Sequence, residues 1–131
     1  MGDLLQSLGL SASGLRAQAT RLRHVSENIA NVDTPGYHRK LTPFEVETGS
    51  GDSTAGEVRA GPVFLDRSEL TRIYDPSHPM ADASGYYDGS NVDLVVEIAD
   101  AREAQRSYEA NLKLFDQARQ MSRGLLDLLR R

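Results

Sequence analysis

The sequence predicts a mainly α fold. Two long terminal helices pack as a coiled-coil-like pair or bundle, with a small β-hairpin-like insert between them. Three observations carry this reading. Apolar residues recur every seven positions from Leu8 to Ile29. The same spacing returns from Leu94 to the end of the chain. Residues 37–90, between these stretches, hold four of the five Pro and six of the eleven Gly. The pattern divides the chain at 1–36, 37–90 and 91–131, and the first and last segments together form one helical domain.

The first helix rests on Leu8, Leu15, Leu22 and Ile29, with Leu5, Ala12, Ala19 and Ser26 each three positions earlier. This is an a/d seam held for four heptads. Gly9 and Gly14 lower its intrinsic helix propensity by up to about 1 kcal/mol each relative to Ala. The second helix has Leu94, Ala101, Tyr108, Phe115, Ser122 and Leu129 in one row. Ile98, Gln105, Leu112, Arg119 and Leu126 form the other, with Ala104, Ala118 and Leu125 widening the stripe. Ser90, Asn91 and Asp93 offer N-cap oxygens, and Glu97 suits the positive end of the helix dipole. The packing seam is therefore placed on Leu8, Leu15, Leu22, Ile29, Leu94, Ile98, Tyr108, Leu112 and Phe115.

In the insert, residues 48–56 have the composition of a flexible loop. Phe44–Glu47, Glu57–Arg59 with Val63–Leu65, and Leu70–Tyr74 read as short strands. Asp75-Pro76-Ser77-His78-Pro79 ends the last of them in a turn.

The chain has 131 residues, a net charge of −4, no Cys, no Trp and a mean hydropathy of −0.47. Its apolar runs fall far below the roughly 20 residues that a membrane-spanning helix requires, so no span is expected. The acidic balance argues against nucleic acid as a partner. Cys-free composition excludes disulfides and thiolate metal sites. No basic start followed by an apolar block appears in the first twenty residues, so no cleaved signal peptide is expected.

The most informative stretch is Asn28-Ile29-Ala30-Asn31-Val32-Asp33-Thr34-Pro35-Gly36-Tyr37. Pro35 pushes Thr34 out of the helical region, and Gly36 supplies a turn position with φ > 0. Two Asn three residues apart carry more polar chemistry than a helix stop requires. Asn28, Asn31, Thr34, Pro35, Gly36 and Tyr37 are therefore the candidate recognition joint. The plainer reading is a helix end. His24, beside Arg21 and Arg23, is placed on a solvated face. His24, His38 and His78 have no carboxylate, Ser or Cys partner at a catalytic or metal-binding spacing. Asp75, Asp82 and Asp88 lack the ligand alternation of a calcium loop. No catalytic residue, cofactor, metal or small-molecule substrate is expected.

A basic side of the first helix (Arg16, Arg21, Arg23, His24) faces two alternatives. It is either simply solvated or matched to the acidic side of the second helix (Asp93, Glu97, Asp100, Glu103, Glu109). Energetics add a further expectation. Burying a Leu contributes about 1.5–3 kcal/mol, whereas fixing each residue's backbone costs about 1–2 kcal/mol. Two helices touching along one uneven stripe therefore gain little on their own, and the lone chain is expected to be largely disordered at both ends.

The segment from Gly14 to Tyr37, with Ser26–Asn31 and Thr34–Tyr37, resembles the N-terminal signature of the rod, hook and hook-associated proteins of the bacterial flagellum. Ser90–Glu97 and Ala104–Asn111 resemble the C-terminal helix of the same family. Tyr74–Pro79 and Ala81–Tyr86 resemble a member from the proximal rod. Residues Ala99–Glu103 are more charged than that family suggests. The resemblance implies a structural subunit that packs its terminal helices into a hollow shaft, transmitting torque and conducting exported subunits. It implies copies of itself and other rod proteins as partners, and passage through the flagellar export apparatus without a cleaved signal. The implied location is the periplasmic basal body. Two alternatives stand beside it: another proximal-rod subunit, and a cytoplasmic helical regulator or chaperone.

Overall fold

The computed structural model describes residues 2–49 and 55–130. The loop read at 48–56 therefore lies largely outside the described residues. Helix α1 spans Gly2–Ala30 and helix α2 spans Leu94–Leu129. At 1.5 Å per residue they are about 43 Å and about 54 Å long. Asp93 caps α2, its carboxylate accepting from the Val95 N–H at 3.0 Å. Of the three cap residues considered, Ser90 and Asn91 are used elsewhere. No helix among the described residues is long and apolar enough to cross a membrane.

The helices run antiparallel. Asn28 meets Glu97, Arg21 meets Asp100 and Glu103, and Gly14 faces Asn111. Charge matching between the helices, left open by the sequence, thus occurs within the chain. Their contact runs beside the leucine rows read in the sequence and shares with that reading only Ala104 and Ala118, which widen the second stripe. On α1 the buried residues are Ser11, Ser13, Ala17, His24, Val25 and Asn28, and on α2 they are Glu97, Ala104 and Ala118. Leu8, Leu15, Leu22 and Ile29 are only half-buried along the flank, as are Tyr108 and Phe115. Leu94, Ile98 and Leu112 are exposed. Small residues set this stripe. A Cβ on Gly14 would lie 2.9 Å from the Asn111 amide, so the backbones approach where side chains are smallest. A row of leucines would hold the helices further apart.

His24 is buried at 6% exposure, not solvated. The helix turns it inward with Val25, beside Leu41 and Thr42 of the insert. Asp100, in the segment more charged than the family pattern, pairs with Arg21 at 3.2 Å and reaches Arg39 at 3.9 Å.

The insert contains β1 (Lys40–Leu41), β2 (Phe44–Val46), β3 (Val58–Ala60), β4 (Phe64–Leu65), β5 (Arg72–Tyr74) and β6 (Tyr86–Asp88). β1 pairs with β4 and β2 with β3, all antiparallel. These two pairs make one ribbon. The Gly61 N–H donates to the Pro43 carbonyl at 2.7 Å between them, and the Asp66 N–H donates to the Arg39 carbonyl at 2.8 Å beyond them. Pro43 and Pro62 lack N–H donors, which explains the break in the middle. Ser13 anchors the ribbon to α1: its Oγ accepts from the Val58 N–H at 3.1 Å while its hydroxyl donates to the Leu10 carbonyl. β5 and β6 form a separate hairpin in the register Arg72–Asp88, Ile73–Tyr87, Tyr74–Tyr86.

Candidate functional site

The end of α1, the start of α2 and the first insert strand meet around one side chain. Asn28 is 1% exposed. Its amide donates to the Lys40 carbonyl at 3.0 Å and to Glu97 Oε2 at 3.3 Å. Its oxygen accepts from the Lys40 N–H at 2.8 Å and from the Tyr37 hydroxyl at 2.9 Å. Two donors and two lone pairs are all that an Asn amide has, and all four are used. An Asp here would lose both donors, and a Gln would displace the group by a methylene.

Glu97 is fully buried. Arg39 answers its charge, donating from Nε to Oε1 at 2.6 Å. Arg39 also reaches Asp66 at 3.5 Å. Burial draws the Arg39 guanidinium downward, but the hydrogen bond and charge of Glu97, and then those of Asp66, more than reverse this and leave it above its usual range. A buried carboxylate requires such a partner, because an isolated charge in a low dielectric is prohibitively costly. Burial also raises the Tyr37 phenol above its ordinary value, keeping it a neutral donor to Asn28.

Backbone bonds close the joint. Gly36, with φ +74°, donates its N–H to the Asp88 and Gly89 carbonyls. The Asn91 N–H donates to the Tyr37 carbonyl, and the Asn91 side chain bridges the Arg39 N–H and the Asp66 carbonyl. The Ser90 hydroxyl donates to the Val32 carbonyl. At the outer edge Lys40 and Glu27 pair at 2.7 Å. That bond lowers the Glu27 carboxyl and raises the Lys40 ammonium.

Of the six residues placed in the joint from sequence, Asn28, Gly36 and Tyr37 converge on this network. Asn31 and Thr34 serve the local turn: Asn31 donates to the Glu27 carbonyl at 2.8 Å and accepts from the Thr34 hydroxyl at 3.0 Å. Pro35 sits half-buried within it. Arg39, Glu97, Asn91, Ser90 and Asp66 are partners that the sequence reading missed as a group. A signal existed for one of them. Glu97 heads the row Glu97, Ala104, Asn111, Ala118, whose spacing matches Asn28, Arg21, Gly14 and Ser7 on the antiparallel helix.

The histidines lie apart. His38 Nδ1 is 2.9 Å from the Asp66 carbonyl, and His78 stacks on Tyr87 with ring centroids 3.8 Å apart. No group of three or more His, Asp or Glu able to hold a metal ion occurs among the described residues. The arrangement positions elements and offers no nucleophile paired with a base.

Comparison with known proteins places these elements in context. Residues 8–38 match a family described as flagella basal body rod protein. Residues 83–128 match the C-terminal family of flagellar basal body rod FlgEFG proteins. The chain is 41% identical to the flagellar basal-body rod protein FlgC of Agrobacterium fabrum, covering 99% of this chain and 98% of that one. It is 33% identical to FlgC of Salmonella typhimurium (95% and 97% covered) and 33% identical to FlgC of Bacillus subtilis (93% and 95% covered).

Proposed function

Because the chain belongs to the FlgC family of flagellar basal-body rod proteins, we propose that its helix pair, residues 1–36 with 91–131, is the unit that interdigitates with neighbours in the proximal rod. It is a structural subunit of the flagellar basal body, not an enzyme. The segment 37–90 is an insert whose angle to the helices is set by the Asn28–Glu97–Arg39 joint. In that role Asn28, Asn31, Thr34, Pro35, Gly36 and Tyr37 hold the joint rigid under torque. The rows from Leu8 to Ile29 and from Leu94 to Phe115 take up contacts with other copies and other rod proteins.

One observation supports this above the rest: the helix pair leaves its strongest apolar residues uncovered. Leu5, Val95, Leu128 and Leu129 are each more than 60% exposed. Burying such side chains is the dominant favourable term in association. Neighbours that cover them would convert a weakly held pair into a stiff wall around a channel. A subunit whose apolar ends gain their cover only on assembly also suits unfolded passage through the flagellar export apparatus, ending in the periplasmic part of the basal body with no leader removed.

Basal bodies from cells lacking this chain are the test. Electron microscopy is expected to show membrane rings without a completed rod, and intact rods would overturn the reading. The chain recovered from wild-type basal bodies is expected at its full mass of 14.4 kDa; a shorter product would overturn uncleaved export.

A further inference from the structure

We propose that the β5–β6 loop of one copy docks into the outer groove of α2 on a second copy. This rests on the assembly reading above and names one contact within it.

The loop is a rigid plate. Asp75 accepts from the Ser77 N–H and hydroxyl, and Asp82 accepts from the Ser84 and Tyr86 N–H groups. Gly85, at φ +86°, is buried where a Cβ would strike the Tyr74 ring at 2.8 Å and Pro76 at 3.0 Å. Despite this internal order the plate turns Tyr74 (64% exposed) and Met80 (63%) outward. An ordered loop loses little entropy on binding, and Tyr and Met are favoured at interface centres. Its net charge is acidic: Asp82 and Asp88 share Arg72 at 2.9 and 3.5 Å, and Asp75 has no ion-pair partner among the described residues. Arg72 already lies 5.5 Å over the Tyr86 ring, whereas no cation covers the face of Tyr74 among the described residues.

The groove is the complement. It is an open face along one side of α2, lined by Val95, Ile98, Ala99, Arg102, Glu103 and Arg106. Its floor is apolar. Glu103, on the inner rim, is turned to Arg21. Arg102 and Arg106 have no ion pair among the described residues. An acidic, aromatic plate therefore meets a basic, apolar groove: Met80 against Val95 and Ile98, a guanidinium over Tyr74, and Asp88 toward Arg106. Both halves belong to one sequence but to different surfaces, so the contact is heterologous. It links copies head to tail.

The Cys-free chain allows a direct test in isolated basal bodies, with M80C and R102C combined. Oxidation is expected to link copies into dimers and longer ladders only in the double variant. A double variant present in rods that stays unlinked, or that links to a different protein, would overturn the docking and leave the rod assignment standing. Absence of the chain from wild-type rods would instead remove the assembly reading. Charge exchange gives an independent readout if the double variant is not exported. D88R and R106E are each expected to shrink swimming halos several-fold, and their combination to recover most of the loss. No recovery would overturn the proposal.

Discussion

The two ends of the helix pair are built on opposite principles. At the joint, the buried side chains of Asn28 and Glu97 find their hydrogen-bond partners within the chain. At the other end, Leu4, Ser7, Leu10 and Ser11 face Leu114, Ala118 and Met121 across an open groove of about 460 Å³. There α2 also overhangs α1, and Leu125, Leu126, Leu128 and Leu129 are all exposed. Hydrogen bonds are directional and specify one geometry. Apolar surface is not directional and accepts whatever covers it. The contrast divides the work: the joint sets orientation inside the subunit, and the open end supplies adhesion between subunits.

The largest effect that would expose this contrast comes from Glu97. Glu97→Ala removes the closest partner of Arg39, which keeps only its longer contacts to Asp66 and Asp100, and takes one of the two acceptors from the Asn28 amide. Breaking a buried pair on one side costs about 3–5 kcal/mol. Chemical denaturation followed by helix circular dichroism is expected to show a loss of that order. Leu4→Ala, at the open end, is expected to cost less than about 1 kcal/mol in the lone chain, because its side chain is only partly covered, yet to impair rod formation in cells. If Leu4→Ala destabilised the isolated chain as much as Glu97→Ala, the two ends would not differ in kind.

Glycines sharpen the comparison at a smaller scale. Gly14 lies on the helix contact against Asn111, whereas nothing lies within 4 Å of Gly124. Gly14→Leu must displace Asn111 and separate the helices, a strain of about 1–3 kcal/mol. Gly124→Ala meets no neighbour and is expected to stabilise the overhanging end of α2 by up to about 1 kcal/mol through helix propensity. Thermal unfolding of the two variants should move in opposite directions. A stabilising Gly14→Leu would mean that the helices do not approach there.

Much of this was legible in the residues. The heptads gave two helices of nearly the observed lengths, and Pro35-Gly36 gave the turn. The strands at Phe44–Val46 and Val58–Ala60 followed from β-prone residues beside turn formers. What escaped was the partner geometry. The leucine rows are the loudest periodic signal, but they mark where water must be excluded somewhere, not which surface excludes it. The helices meet on small residues, Gly14 and Ala17 on α1 beside the leucine row and Ala104 and Ala118 at the widened margin of the α2 stripe, because small residues permit close approach. β1 and β6 escaped because Lys40–Leu41 and Tyr86–Asp88 are short and gain their pairing from distant strands. His24 was misplaced by its charged neighbours: successive residues on a helix point about 100° apart, so Arg23 is exposed while His24 is not. From sequence Glu97 suits the helix dipole and belongs to an acidic side that is either solvated or matched to the first helix, since a charge alone does not announce that Arg39 of the insert is its partner.

Acid provides the gentlest probe of the same division. Asp66 is held below its ordinary carboxyl range, first by hydrogen bonds from Ser68 and then by Arg39, and Glu27 is lowered chiefly by Lys40. In the hairpin, Asp82 is lowered by the Tyr86 N–H and by Arg72, and Asp75 by Ser77. A carboxyl depressed on folding binds its proton more readily in the unfolded chain. Its stabilisation is therefore complete above the ordinary values of 3.8 for Asp and 4.5 for Glu, and is lost as pH falls through the lower folded values. All four groups lie at the joint or in the hairpin beside it. Hydrogen exchange followed from pH 6 toward pH 3 is expected to show amides at Tyr37–Leu41 and Tyr86–Asn91 losing protection, after correction for the intrinsic rate. Amides along Ser7–Ser13 should change less, because their side-chain contacts across the helix pair are mostly apolar. Equal loss at both ends would mean that the polar joint does not hold the insert independently of the helix pair. A loss confined to the open end would reverse the division of labour.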